Sequence, residues 1–238
     1  MKTFVIIIVS FIFLQGSTTP LAFAQCARIE NLLPSGRLSD GDIISGLKEA
    51  LQIGTGNAVT NVSKTNGYYR NPKIKIPLPQ EVQDVEKLLR ATGLGSQVDK
   101  FVLSMNRAAE QAAPKAKSIF WNAIKQITFA DARKILAGRN NEATLYFKGK
   151  TYGKLDKTFR PITKKTMDKV GVTRVYQNLY TKVQSIPFTE KFQLDINQYV
   201  TEKALDGLFL LLSEEERKIR EDPVARVTEL LKKVFGNK

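Results

Sequence analysis

After residue 38, apolar residues recur at spacings of three and four along most of the chain, the period of helices that each bury one side. The densest stretch runs from Ala204 to Leu212, where only Asp206 and Gly207 interrupt the apolar run. A helix apolar on nearly its whole circumference is enclosed by others. This one is far shorter than the roughly 20 residues a bilayer span needs. It is therefore expected to be the central core helix, with Leu208 and Phe209 inside; the alternative is a groove for a partner. Asp195 and Gln198 form its capping pair. Ser213 with Glu216 has the spacing of a second capping box. Asp222-Pro223 predicts the start of a last helix, which Gly236 ends.

Earlier in the chain, Ser39 and Asp42 form a capping box before Ile43, Ile44, Leu47 and Leu51, a helix predicted to about Val62 and weakened at Gly54 and Gly56. Residues 64–79 break the pattern. Asn66-Gly67 is a turn signal. Pro72, Pro77 and Pro79 exclude a central strand, while Lys73 and Lys75 alternate with Ile74 and Ile76. An extended proline-rich arm, or a short edge strand, is expected to lie here on the helices. Pro79 then opens a helix through Val82, Val85, Leu88 and Leu89 that stops at Gly93. Ser96 with Asp99 is placed to cap the next, with the stripe Val98, Phe101, Val102, Met105, Ala109 and Ala112. Pro114 starts another with Ile119, Phe120, Ile124 and Ile127, and Thr128 with Asp131 caps a short one ending at Gly138. From Asn141, the residues Tyr152, Leu155, Phe159, Ile162, Thr166 and Val170 predict one buried face, bent at Pro161. After Gly171, Val175, Leu179 and Val183 mark a further helix before a loop at Pro187. The fold class is all-α: a single multi-helix globular domain over residues 39–236, with the extended arm.

The chain opens with one lysine, a long apolar block and Ala22-Phe23-Ala24, the pattern of an export signal over residues 1–24. Residues 25–38 form a linker. Lipidation at Cys26 is the weaker alternative, because Gln25 stands where that processing wants a small residue. The expected location is periplasmic or envelope-associated, with no transmembrane span after cleavage. The full chain has 37 Lys+Arg against 23 Asp+Glu, and loss of Lys2 leaves a net charge of +13. A single cysteine excludes an internal disulfide. The absence of histidine removes the usual ligands of zinc and copper, so no metal or other cofactor is expected.

Six ordered blocks, SGLKEAL (Ser45–Leu51), NPKIKIPLP (Asn71–Pro79), KLLRATGLG (Lys87–Gly95), SMNRAAEQA (Ser104–Ala112), DKVG (Asp168–Gly171) and YVTEKALDGLF (Tyr199–Phe209), resemble the bacterial family called domain of unknown function 4197. The resemblance implies an exported helical protein and brings no catalytic residue with it.

Motifs for known chemistry are incomplete. Gly149-Lys150-Thr151 ends like a phosphate-binding loop, but Thr144 occupies the first glycine position. Ser45-Gly46-Leu47-Lys48 has the spacing of a serine nucleophile and lysine base without the S-D-N and K-T-G elements that complete such sites. Asp40-Gly41-Asp42 lacks the later acids of a calcium loop, and Glu214–Glu216 is placed on an exposed cap. Asn106, Arg107 and Glu110 share the edge of one helix. They form either an intrahelical ion pair or a polar cluster at a groove, in contact with Lys75 or Asp206. Lys150, Lys154, Lys157 and Lys164 line one helix face, either as a solvated surface or as a contact for polyanions.

The expected function is a non-catalytic binding module of the envelope, for an anionic or amphipathic ligand or a protein partner. A histidine-free hydrolase using carboxylates or a Ser-Lys pair is the alternative. The export signal argues against nucleic acid.

Overall fold

The computed structural model describes residues 39–169, 195–226, 228, 232 and 234–236. The signal segment, the linker with Cys26, Val170 and the helix expected through Val175, Leu179 and Val183 lie outside these. Regular structure among the described residues is entirely helical: α1 (Asp40–Ser63), α2 (Gln83–Ala91), α3 (Gly95–Ala112), α4 (Ala116–Lys125), α5 (Phe129–Ala137), α6 (Glu142–Lys169) and α7 (Ile196–Glu221). Short 3₁₀ turns occupy Gln80–Val82, Ala113–Lys115 and Pro223–Ala225. Residues Leu38–Lys238 make one unit.

Local capping chemistry explains three of the seven helix starts. The Ser39 hydroxyl accepts from the Asp42 amide at 3.1 Å and Asp42 answers to the Ser39 amide at 3.1 Å. Thr128 and Asp131 repeat the exchange at the head of α5, at 3.0 and 3.2 Å. Asp195 caps α7 by accepting from the amides of Asn197 and Gln198. Each satisfies donors that a helix start leaves open. Two expected caps are absent. α3 begins at Gly95, with no side-chain cap, because Asp99 is drawn to Arg90 at 2.8 Å. No new helix starts at Ser213: α7 continues unbroken to Glu221, and the Glu216 carboxylate is engaged elsewhere. Past it, Pro223 opens a 3₁₀ turn, in which the Val224 amide donates to Asp222 Oδ1 at 2.9 Å. Further on, the described residues Lys232, Val234 and Phe235 are helical, and the Lys232 amide donates to the Thr228 carbonyl at 3.0 Å. A turn follows at Gly236, where the last helix is expected to end.

α7 is the centre, packed against α6, α1 and α3. Leu208 is 0% and Phe209 4% exposed, so this helix is core and its apolar run is enclosed. Phe120 of α4 meets Phe147 of α6 and Phe209 edge-on at centroid separations of 5.6 and 5.9 Å, within the range where aromatic pairs attract.

α6 buries a stripe at intervals of four: Ala143, Phe147, Thr151, Leu155, Phe159, Thr163 and Met167. Four residues overshoot one turn by about 40°, so the stripe winds around the helix. Two threonines fit in it because their hydroxyls donate to the carbonyls one turn back, Thr151 to Phe147 at 2.6 Å and Thr163 to Phe159 at 3.2 Å. The expected face is thereby corrected: Leu155, Phe159 and Thr166 are buried, whereas Tyr152 and Ile162 are half-buried. Pro161 lies inside α6 at an exposed position.

Candidate functional site

The chain between α1 and the first 3₁₀ turn is held down residue by residue. Asn66 takes a left-handed conformation with φ 69°. A Cβ on Gly67 would lie 2.5 Å from the Asn61 carbonyl oxygen, so the turn needs glycine. Tyr68 follows, fully buried, and donates from its hydroxyl to the Ala204 carbonyl on α7 at 2.6 Å. Burial pushes the Tyr68 phenol far above its ordinary value, and the Glu110 carboxylate adds to the effect. The close approach to α7 depends on Gly207, where a Cβ would sit 2.8 Å from the Tyr68 ring and 3.0 Å from Ile74 Cβ.

α3 secures the other side. Glu110 Oε1 accepts from the amides of Tyr68 and Tyr69 at 3.1 and 3.2 Å, and its second oxygen pairs with Arg107. Arg107 reaches on to Asn66 Oδ1 at 2.8 Å. Asn106 is wholly buried; its Oδ1 accepts from the Ile76 amide at 2.9 Å and its Nδ2 donates to the Ile76 carbonyl at 2.9 Å. One side-chain amide thus satisfies both backbone groups of Ile76, as a neighbouring strand would. The structure brings Asn106, Arg107 and Glu110 together as anchors of this segment. Lys75 and Asp206 are not among their partners.

Lys75 and Asp206 instead line a groove of about 600 Å³ between residues 73–83 and the outer side of α7. Ile76 and Leu78 line it from the segment, and Tyr199, Lys203, Gly207 and Leu210 from α7. Leu210 is 43% exposed although the residues flanking it are buried. Tyr199 closes one part by donating to the Pro77 carbonyl at 3.1 Å. Three ammonium groups edge the groove. Lys73 pairs with Glu214 at 2.6 Å, Lys75 sits 4.9 Å from the Tyr69 ring centroid, and Lys203 lies 4.0 Å from Asp206. Asp206 is shared with Lys148 of α6, also at 4.0 Å. These contacts are solvent-exposed and individually weak, so the cations stay available to a ligand. The sequence offered no signal for Tyr199 or Leu210 here; Lys203 stands one turn before Asp206 and was legible only as a neighbour.

Among the described residues Glu216 is the most heavily bonded carboxylate. Only 7% exposed, it accepts from the Ala143 and Thr144 amides at 3.0 and 2.8 Å, from the Thr144 hydroxyl at 2.9 Å, and from Arg220. It caps α6 from another helix, where the dipole favours a negative charge. Glu214–Glu216 is therefore no exposed cap. The space beside it, about 20 Å³ and lined by Leu47, Phe147 and Leu212, holds roughly one water and no larger ligand.

The remaining motifs resolve locally. Gly149-Lys150-Thr151 lies inside α6 with Thr151 buried, so no phosphate-binding loop exists there. Lys48 donates to the Lys125 carbonyl at the end of α4 at 3.2 Å, while Ser45 is exposed on α1. Lys150, Lys154, Lys157 and Lys164 are all exposed; Lys164 pairs with Asp168 at 2.8 Å. Among the described residues no helix is long and apolar enough to cross a membrane.

Fold and groove define an all-α globular domain with an amphipathic cleft between its central helix and a pinned segment. The chain matches the family described as Protein of unknown function (DUF4197) over residues 37–236 and belongs to that family. No curated protein and no solved structure matches it.

Proposed function

We propose that this is an exported, non-catalytic binding protein of the envelope whose groove takes an anionic amphiphile. The observation that carries the reading is the groove itself: exposed Leu210 beside Ile76 and Leu78, edged by Lys73, Lys75 and Lys203. A concave site with apolar lining and a few converging polar groups is the usual form of a small-ligand site. An apolar chain would lie along Leu78 and Leu210, with its acidic head among the lysines.

The carboxylates support binding over catalysis. Glu110 and Glu216 are buried, but each is bonded to backbone amides and an arginine. Glu215 is held by Asn57 and Lys218. None of the three lines the groove; the carboxylates that do are Glu81 and Asp206, and Asp206 lies between Lys148 and Lys203, 4.0 Å from each. A general acid or base must reach its substrate with a free proton site.

Native mass spectrometry of protein purified from its own envelope is expected to show a retained acidic lipid-like ligand. Titration with a long-chain fatty-acid carboxylate should show binding that its methyl ester does not match. Leu210→Glu and Lys75→Gln/Lys203→Gln should each weaken it at unchanged melting temperature. Equal binding of acid and ester would overturn the anionic reading, and ester hydrolysis lost in Ser45→Ala would establish the Ser-Lys hydrolase instead.

A further inference from the structure

α6 carries eight cationic side chains against three carboxylates, Glu142, Asp156 and Asp168. Each carboxylate is already matched, to Arg139 at 3.3 Å, Arg160 at 2.8 Å and Lys164 at 2.8 Å. Five of the cations are left with no ion pair among the described residues, Lys150, Lys154, Lys157, Lys165 and Lys169, and all are exposed; the first three form one row. Their spacing places them within an arc of about 60° along roughly 10 Å of helix. At the level of these three lysines the winding core stripe, carried there by Phe147, Thr151, Leu155 and Phe159, lies about 60° or more around the helix from them. Lys148, which reaches toward the groove through Asp206, projects about 200° around the helix from Lys150. The lysine row is thus a surface separate from the groove.

We infer that the Lys150–Lys154–Lys157 row docks the protein on an anionic phospholipid surface. Charge complementarity selects that partner. Lysine ammonium groups are point charges on flexible stems, without the fixed fork by which arginine grips one phosphate. Such a row suits mobile headgroup phosphates that rearrange beneath it. Of the large apolar side chains that are exposed, Leu88, Trp121, Leu145, Leu210 and Val224, only Leu145 belongs to α6, and it stands about 140° from Lys150. Among the described residues of α6, therefore, no exposed large apolar side chain stands in the lysine row; the half-buried Tyr146 ring centroid lies 5.8 Å from the Lys150 ammonium. Attachment is electrostatic, reversible and salt-sensitive, with each lysine adding a comparable increment.

Flotation of the protein with phosphatidylcholine vesicles, with and without phosphatidylglycerol, tests this. Binding is expected only with phosphatidylglycerol, falling steeply toward physiological salt as the screening length shortens to about 8 Å. Lys150→Gln/Lys154→Gln/Lys157→Gln should weaken partition on the order of a hundredfold, at unchanged melting temperature. Lys164→Gln alone should change it little, because Asp168 already neutralises that charge. Lys73→Gln/Lys75→Gln/Lys203→Gln should still float, which separates this surface from the groove. Wild-type binding by the row triple variant, or equal binding to phosphatidylcholine alone, would overturn the inference. So would retention on soluble polyphosphate without any vesicle binding.

Discussion

Glu110 and Glu216 face inward from α3 and α7, whereas Lys150, Lys154 and Lys157 line the outside of α6, and the fold treats the two sets of charges in opposite ways. Each inner carboxylate is desolvated, a cost that is repaid only when its oxygens are fully bonded. Both meet that condition with two backbone amides and an arginine. Their anchors join parts of the chain 41 to 73 residues apart. The outer lysines are exposed and form no ion pair among the described residues; the Lys150 ammonium lies 5.8 Å from the Tyr146 ring centroid. Charge buried in this protein is architecture, and charge left over on its surface is free to meet a partner.

The largest expected effect falls on the inner set. Glu216→Ala leaves Arg220 and the α6 amides buried without their acceptor, and should cost about 3–5 kcal/mol. Phe209→Ala, an apolar benchmark at similar depth, should cost about 3–5 kcal/mol through the cavity it leaves. Both are read as loss of chemical-denaturation stability, and a Glu216→Ala loss under about 1 kcal/mol would erase the contrast.

Tyr68 sharpens the comparison through pH. Its folded value is raised above the ordinary 10.0, so below that pH its contribution is fully present. Above it the unfolded chain releases a proton that the folded protein retains, and stability falls as pH rises. Tyr68→Phe should cost about 0.5–1.5 kcal/mol at neutral pH, through the lost bond to the Ala204 carbonyl, and should make alkaline unfolding less steep. The opposite sign applies to Asp131. The Thr128 hydroxyl and amide hold its carboxyl below the ordinary 3.8, so its small contribution is present above that value and is lost as pH falls toward the folded value. Thr128→Ala should flatten this acid limb of the stability profile.

The smallest effect belongs to the outer set. The Lys150, Lys154 and Lys157 glutamine triple should shift stability by less than about 0.5 kcal/mol, as exposed substitutions do. A larger loss would show that the row is structural after all.

The sequence by itself determined the helices, because their signals are local. Ser39–Asp42, Thr128–Asp131 and Asp195 cap within one turn, and the apolar density of Ala204–Leu212 identifies the core helix without knowledge of its neighbours. Residue spacing also placed the four α6 lysines on one exposed face. Tertiary structure decided the rest. Glu216 resembles a local capping residue by spacing, yet it caps a helix whose start lies 73 residues earlier. Asn106 and Glu110 look like surface polar residues until the Tyr68–Ile76 backbone is laid against them. Thr151 and Thr163 join the core because their hydroxyls find carbonyls within α6 and because other helices wrap its winding stripe. The groove exists only where the segment crosses α7 at Gly207, close enough to exclude a methyl group. Local periodicity marks the helices and, where the apolar run is dense, their buried side; the winding stripe of α6 and the distant backbone that satisfies each buried charge depend on how the helices pack.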